Sequence, residues 1–455
     1  MTRDMTSGSP LKLILLFAVP VFMGNLFHQF YNMVDAVIVG RFLGADALAA
    51  VGSVGTLGYL VHGLTNGFSQ GLGIMVSHAF GAKDYRLLKH YVAVAVMITL
   101  IVSAFVTVPI LLLCDTLLQW INIPENIFRL SYDYLFIIFA GTVFSMTYNV
   151  SAAVLRAIGD SKTPLYFLII SSVLNIFLDV FMIAVLKMGT AGAAYATVLS
   201  QAISALLCCC YMFRKFDILQ PDKQDYYLDF GTIRKLLTIG IPMSVNYMIT
   251  ATGMTVLQAS VNVFGSDVMA AYTAASKVSI LSMQLPISLG VAMATYCGQN
   301  YGAKNYGRIF AGVRTALGLN FAIAALDAAL CIFGGAFAVS MFIENPSAEI
   351  VAYAKEYLWI TSWFYVPLGW IFIYRNSLQG LGKGFTPMLS SLLEFFARYL
   401  TIALFAARFG YTAICFADPA TWTSTALVLM LPYYLWAYKQ KKEMKLGKQN
   451  LDALA

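Results

Sequence analysis

Apolar residues fall along this chain in long uninterrupted runs, each closed by a short polar turn. A helix rises about 1.5 Å per residue, so about 20 apolar residues cross the ~30 Å hydrocarbon layer of a bilayer. Twelve stretches meet that requirement. They are Leu13 to Val39, Asp46 to Ser77, Leu87 to Leu113, Glu125 to Arg156, Thr163 to Leu186 and Thr190 to Phe213. After a polar stretch come Thr232 to Phe264, Asp267 to Asn300, Tyr306 to Phe342, Ser347 to Ser377, Gly384 to Arg408 and Tyr411 to Tyr438. Met1 to Pro10 is polar, and the first span has no small-residue cleavage site behind a short apolar core, so no removable signal peptide is expected.

Positive charge orients the spans. Roughly three-quarters of the 29 Lys and Arg, Arg375 among them, fall on the side that holds both termini. Arg41, Arg129, Lys187, Lys355 and Arg408 fall on the other side, while Lys277 and Arg398 lie within spans. The expectation is a multi-pass protein of the cell (inner) membrane with both termini cytoplasmic.

The chain also repeats itself. Gly81-Ala82-Lys83-Asp84-Tyr85 ends the second span and Gly302-Ala303-Lys304-Asn305-Tyr306 ends the eighth, 221 residues later. Gly159-Asp160-Ser161-Lys162-Thr163-Pro164 is echoed by Gly382-Lys383-Gly384-Phe385-Thr386-Pro387, 223 residues later. Leu43-Gly44-Ala45-Asp46 and Phe264-Gly265-Ser266-Asp267 close the first and seventh spans. Six spans per repeat is an even number, so both repeats enter and leave on one side and are parallel. The predicted fold is an all-α membrane protein: twelve transmembrane helices in two six-helix lobes about a pseudo-twofold axis along the membrane normal, with a cavity between them. The divisions are 1-214 for the N-terminal lobe, 215-231 for a cytoplasmic linker, 232-440 for the C-terminal lobe and 441-455 for a basic tail.

Composition narrows the function. The residues are 60% hydrophobic and only 11% charged, against about 25% charged in soluble domains, and mean hydropathy is +0.75. The net charge of +7 comes from Lys and Arg scattered between apolar runs, which is unlike a nucleic-acid stripe. Seven Cys with no Cys-x-x-Cys spacing indicate neither a disulfide framework nor zinc. No Gly-x-x-x-x-Gly-Lys-Ser/Thr loop supplies a nucleotide motor, and no paired His motif, Gly-x-Ser-x-Gly elbow or His-Glu-x-x-His marks a membrane-embedded enzyme. These absences leave a protein of the lipid bilayer with neither a nucleotide motor nor a recognisable enzyme motif. A channel would need no alternating carboxylate.

An ionisable side chain inside the hydrocarbon costs about 2.5 to 3.5 kcal/mol even on the lenient insertion scale, so each needs a reason. Asp35 lies about 9 Å below Arg41, Asp179 about 12 Å below Lys187 and Thr197 about 12 Å in from Gly189, at the helical rise. Three spans thus bring oxygen atoms to one depth. Asn175, four residues before Asp179, shares its helix face. Carboxylate, amide and hydroxyl oxygens suit a hard cation such as Na⁺, the only metal this pattern calls for. Two nearby carboxylates without a basic partner suit a proton equally. Tyr134, about 15 Å in from Pro124, is a candidate supporting hydrogen-bond donor. Tyr31 and His28, one and two turns before Asp35, are candidates for the substrate cavity, as is Lys277 in the eighth span. Asp327 is a candidate partner for Lys277. Glu394 and Arg398, four apart with the acid first, are expected to pair with each other. Pro20 removes a backbone hydrogen bond from the first span and is a candidate bend.

Together with Asp35, Val39-Gly40-Arg41-Phe42-Leu43-Gly44, Ala47-Leu48-Ala49-Ala50 and Gln299-Asn300-Tyr301-Gly302-Ala303, the chain resembles the multidrug and toxic compound extrusion (MATE) family over essentially its whole length. That resemblance implies a secondary transporter without a cofactor, working as a monomer in the lipid bilayer, whose partner is a small-molecule substrate: it exports lipophilic, often cationic compounds in exchange for inward H⁺ or Na⁺ by alternating access. In the family's DinF-like branch the first-lobe cation site is an Asp on the first helix, Asn-x-x-x-Asp on the fifth and a Thr on the sixth, which match Asp35, Asn175, Asp179 and Thr197. Relatives also carry a basic residue at the position of Lys277 and a proline near Pro20. The NorM-like branch uses a Glu on its seventh helix, absent here. In the second lobe Asn175 and Asp179 align with Arg398 and Ile402, and Asp35 with the segment Thr255 to Leu257, so coupling is expected in the first lobe. A lipid-linked oligosaccharide flippase of the same superfamily is the rival reading, and it would favour a strongly basic cavity.

Overall fold

The computed structural model describes residues 3–340, 343 and 346–452. Phe342, the predicted end of the ninth span, and the last three residues of the tail lie outside the described residues. Helices form because the apolar runs leave the backbone no water to bond, so each N–H and C=O must be satisfied within its own segment. Among the described residues no strand occurs.

The first half of the chain contains α1 (Pro10–Leu43), α2 (Ala45–Gly81), α3 (Tyr85–Leu112), the short α4 (Cys114–Trp120), α5 (Glu125–Ala140), α6 (Thr142–Ala157), α7 (Lys162–Asp179) and α8 (Gly189–Lys215). The second half contains α9 (Phe230–Val261), α10 (Ser266–Gly302), α11 (Tyr306–Ser340), α12 (Ala348–Ser362), α13 (Tyr365–Gly380), α14 (Phe385–Phe409) and α15 (Tyr411–Asp452). With α5–α6 and α12–α13 each read as one interrupted span, and α4 too short to cross, these are the twelve predicted spans. Among the described residues, eight helices are individually long and apolar enough to cross a bilayer, and two bent spans raise this to ten. The α5–α6 span bends by 44° at its break, where the side chain of Val198 packs against Gly141.

Backbone geometry confirms the duplication more sharply than the sequence does. Left-handed φ angles recur at Gly44 and Gly265 (86° and 93°), Lys83 and Lys304 (58° and 55°), Gly159 and Gly382 (86° and 77°), and Gly189 and Gly410 (61° and 59°). The last pair, 221 residues apart, opens the sixth span of each repeat and was not legible as a motif. Both α1 and α9 carry an internal proline, Pro20 and Pro242, and both helices run on through it without a break.

Two compact units result. One comprises Met1–Asp4 and Val19–Tyr247, the other Met5–Ala18 and Met248–Ala455. The first unit has a core of Leu72, Val76, Leu88, Val92, Leu155 and Met212, joined by Leu236 and Met243 from the start of α9. Gly67 and Gly71 let α2 approach α9 backbone to backbone: a Cβ on Gly67 would lie 2.3 Å from Ser244 N, and one on Gly71 2.8 Å from Gly240 Cα. Small residues four apart favour such close helix packing in lipid. The polar connector also belongs to this unit. His90 on α3 contacts the Asp225 carbonyl (3.0 Å), Asp229 Oδ2 (3.2 Å) and Thr232 Oγ1 (3.3 Å), and Lys89 pairs with Asp222 at 3.2 Å.

In the second unit the Gln299-Asn300 pair grips the segment before α1. Met5 N donates to Gln299 Oε1 at 2.8 Å, while Asn300 Nδ2 and Arg308 Nη2 donate to Met5 O at 3.1 and 3.2 Å. The motif residues thus satisfy a buried peptide. Phe105 and Phe333 are 78% and 87% exposed, an arrangement suited to lipid contact and not to water.

Candidate cation site in the first unit

The fifth span of each repeat is inverted relative to a soluble helix. On α7 the buried stripe includes Ser172, Asn175 and Asp179, while Tyr166, Val173 and Phe177 face outward. Polar atoms turn inward because lipid offers them no partner. Asp179 ends the regular α-helix, and a π-helical turn, Val180–Val185, follows at once. Such turns replace i→i+4 bonding by i→i+5 and often mark functional positions.

The structure brings the four predicted residues together. The carboxyl groups of Asp35 on α1 and Asp179 on α7 lie close enough to interact directly. Two carboxylates so placed repel each other unless a proton or a cation joins them. With its amide oriented to satisfy both ends, Asn175 donates to Asp179 Oδ2 at 2.8 Å and accepts from Thr197 N at 3.2 Å. Tyr31 OH lies 3.4 Å from Thr197 Oγ1. Asp179 and Asn175 are 0% and 1% exposed, and Thr197 is also buried. Among the described residues no Lys or Arg forms an ion pair with either carboxyl. Asp35 Oδ1 and Asp179 Oδ1 are both buried without a hydrogen-bond partner. Unpaired acceptors are costly in this setting, so this donor set fits a proton or a hard monovalent cation. Two acids, an amide and a hydroxyl would supply the oxygens.

Tyr134 on α5 lies near Asp35, Tyr31 and Asp179 and packs beside Ile176 on an apolar cluster that includes Ile38, Val39 and Ile183. His28 stacks on His62 of α2, with ring centroids 6.5 Å apart and planes 12° from parallel. Each histidine contacts the asparagine four residues on: His28 Nδ1 with Asn32 Nδ2 at 3.4 Å, His62 Nε2 with Asn66 Nδ2 at 2.7 Å. Sequence reasoning overlooked His62. The repeated His-x-x-x-Asn spacing in the first two spans was the available signal. Pro20 is a full four turns from Asp35 and outside the site. Lys277 is exposed on α10, in the other unit, and Asp327 is buried on α11.

One expected pairing is overturned. Glu394 and Arg398 do not pair with each other. Arg375 Nη2 bonds Glu394 Oε1 across to α13, and Arg398 bonds Asp418 Oδ1 of α15 through Nε (3.1 Å) and Nη2 (2.9 Å). A pair four apart along one helix is worth a few tenths of a kcal/mol, whereas a buried guanidinium–carboxylate contact is far stronger. Arg375 is 7% exposed, so it belongs to the interior and not to the cytoplasmic surface charge.

Duplicated six-span units with an oxygen-lined carboxyl pair buried in one of them define a membrane transporter. The chain belongs to the MATE family: the family model MatE matches residues 20–181 and 242–404, one match in each repeat. Among curated proteins it is similar to the probable multidrug resistance protein YoeA of Bacillus subtilis, 28% identical over 98% of both chains. It is also similar to the probable multidrug resistance protein YpnP of the same organism, 29% identical over 97% of this chain and 98% of that one. A solved structure described as MATE in complex with MaL6 shares the fold, with TM-score 0.90 at 22% identity over 97% of this chain and 100% of that one.

Proposed function

We propose that this protein is a secondary antiporter of the DinF-like branch that exports lipophilic, cationic small molecules in exchange for H⁺ or Na⁺ by alternating access. The observation that carries the reading is that Asp35 and Asp179 lie together beside Asn175 and Thr197, each with a buried Oδ1 that has no hydrogen-bond partner and, among the described residues, no Lys or Arg paired to either. Cation or proton binding removes the repulsion between the carboxylates. A ligand shifts a conformational equilibrium only through such a difference in interaction energy between states. His28, His62 and Tyr31 extend the polar lining along α1 and α2 from this site and are the residues proposed to meet substrate. The acids in the first unit speak against a flippase for pyrophosphate-linked glycans, which needs basic groups.

The test is counterflow in proteoliposomes, with tetraphenylphosphonium as the probe and an imposed gradient of pH or of Na⁺. Accumulation driven by one gradient supports antiport and names the ion. Equal flux with and without both gradients would refute it.

A further inference from the structure

The second unit contains a counterpart of the cation site, and its chemistry is complementary. The matched left-handed glycines fix the register: Gly159 with Gly382 places Arg398 where the first repeat has Asn175, and Gly189 with Gly410 places Asp418 where it has Thr197. Gly44 with Gly265 places Val256 at the position of Asp35 and Gly253 at that of Asn32. In the first unit Asn175 reaches from α7 to Thr197 on α8. In the second, Arg398 reaches from α14 to Asp418 on α15, at 2.9 and 3.1 Å. The same two helices are joined at the same two positions, once by an amide beside a carboxyl pair and once by a guanidinium.

Packing makes room for that guanidinium. A Cβ on Gly253 would lie 2.4 Å from Arg398 Nη1, so the glycine lets the guanidinium rest against α9 in this position. Charge is balanced locally, since Arg375 takes Glu394 and Arg398 takes Asp418. The other titratable groups facing the pair are Tyr272 on α10, Tyr357 on α12 and Cys415 on α15. All four charged side chains are buried.

We propose that Arg398 is a tethered cation: in the second unit its guanidinium takes the role that an exchangeable ion plays in the first. The second unit is thereby held in its cation-occupied form, and exchange is confined to one unit. The inference rests on the reading of Asp35 and Asp179 as the exchangeable site.

The test uses the purified full chain and its melting temperature as Na⁺ is raised or pH lowered. Asp35→Asn/Asp179→Asn is expected to show no rise in melting temperature with either, acid bringing only the fall that the Asp229 connector contributes. Adding Arg398→Asn leaves Asp418 without its counter-charge, so melting falls and then climbs again with rising Na⁺ or falling pH. Adding Asp418→Asn as well abolishes that response. A cation response that survives Asp35→Asn/Asp179→Asn sinks the first-unit reading. A folded Arg398→Asn chain with no response, or one whose response survives Asp418→Asn, sinks this inference alone. Should Arg398→Asn yield no folded protein, recovery by Asp418→Asn supports the proposal, because removing both partners of a buried pair costs far less than removing one; failure to recover contradicts it.

Discussion

Asn175 is the residue that ties the Asp179 carboxyl to α8. It donates to Asp179 and accepts from the Thr197 backbone, so Asn175→Ala leaves a buried carboxylate oxygen short of a donor at a cost of about 1–3 kcal/mol. Cation affinity measured by direct binding is expected to fall about tenfold, the equivalent of 1.4 kcal/mol, with the chain still folded. Unchanged affinity would remove Asn175 from the site. At this scale the sequence was informative wherever a charge interrupts an apolar run, which is how Asp35 and Asp179 stand out. Asp418 interrupts α15 in the same way and was passed over. Glu394 and Arg398 were misread because helical spacing says which side chains can touch and is silent about stronger partners arriving from neighbouring helices. Glu394→Gln leaves Arg375 as a buried unpaired cation, a loss of about 3–5 kcal/mol. It is expected to lower melting temperature sharply while the ions moved per substrate stay the same.

Helices were predicted almost to their ends, since a span must run the width of the bilayer whatever its partners, except that α15 runs on to Asp452, well past the expected end at Tyr438 and into the segment expected to be a basic tail. Their interruptions were not. The bend between α5 and α6 falls at Gly141, a breaker that was not singled out, and no single-residue signal announces the π-helical turn after Asp179. Close approach of α2 to the start of α9 also escaped notice, although Gly67 and Gly71 stand four apart. Gly67→Leu would drive a side chain into the Ser244 backbone; overpacking typically costs about 1–3 kcal/mol. A lowered melting temperature is expected, and an unchanged one would mean that the two helices can separate freely. The docked connector has its own pH dependence. Hydrogen bonds from Thr232 and then His90 hold the exposed Asp229 carboxyl down from the usual 3.8 to about 2. A depressed acid stabilises the folded state fully above its unfolded value and ceases to as pH falls through the folded one. Hydrogen exchange in residues 222–229, corrected for intrinsic rates, is expected to be slow at neutral pH and to quicken between about pH 4 and 2. Asp229→Asn should show faster exchange already at neutral pH.

The whole molecule is a duplication whose halves have diverged in charge. Repeated motifs, spans and the family resemblance were all legible from the chain, because turn chemistry is local. The division into compact units was less so: α1 begins in one unit and ends in the other, as α9 does in reverse, a property of packing and not of sequence. If the transporter alternates access, Tyr31→Cys in a background without reactive thiols should change its labelling by an impermeant reagent when cation or substrate is added. The most direct measurement of the central claim is counterflow by Asp35→Asn and Asp179→Asn, each purified, verified as folded and reconstituted beside the parent protein. The account predicts that each single substitution abolishes flux driven by the coupling gradient, since each removes half of the carboxyl pair in the first unit's site. Full gradient-driven transport by either variant would contradict it.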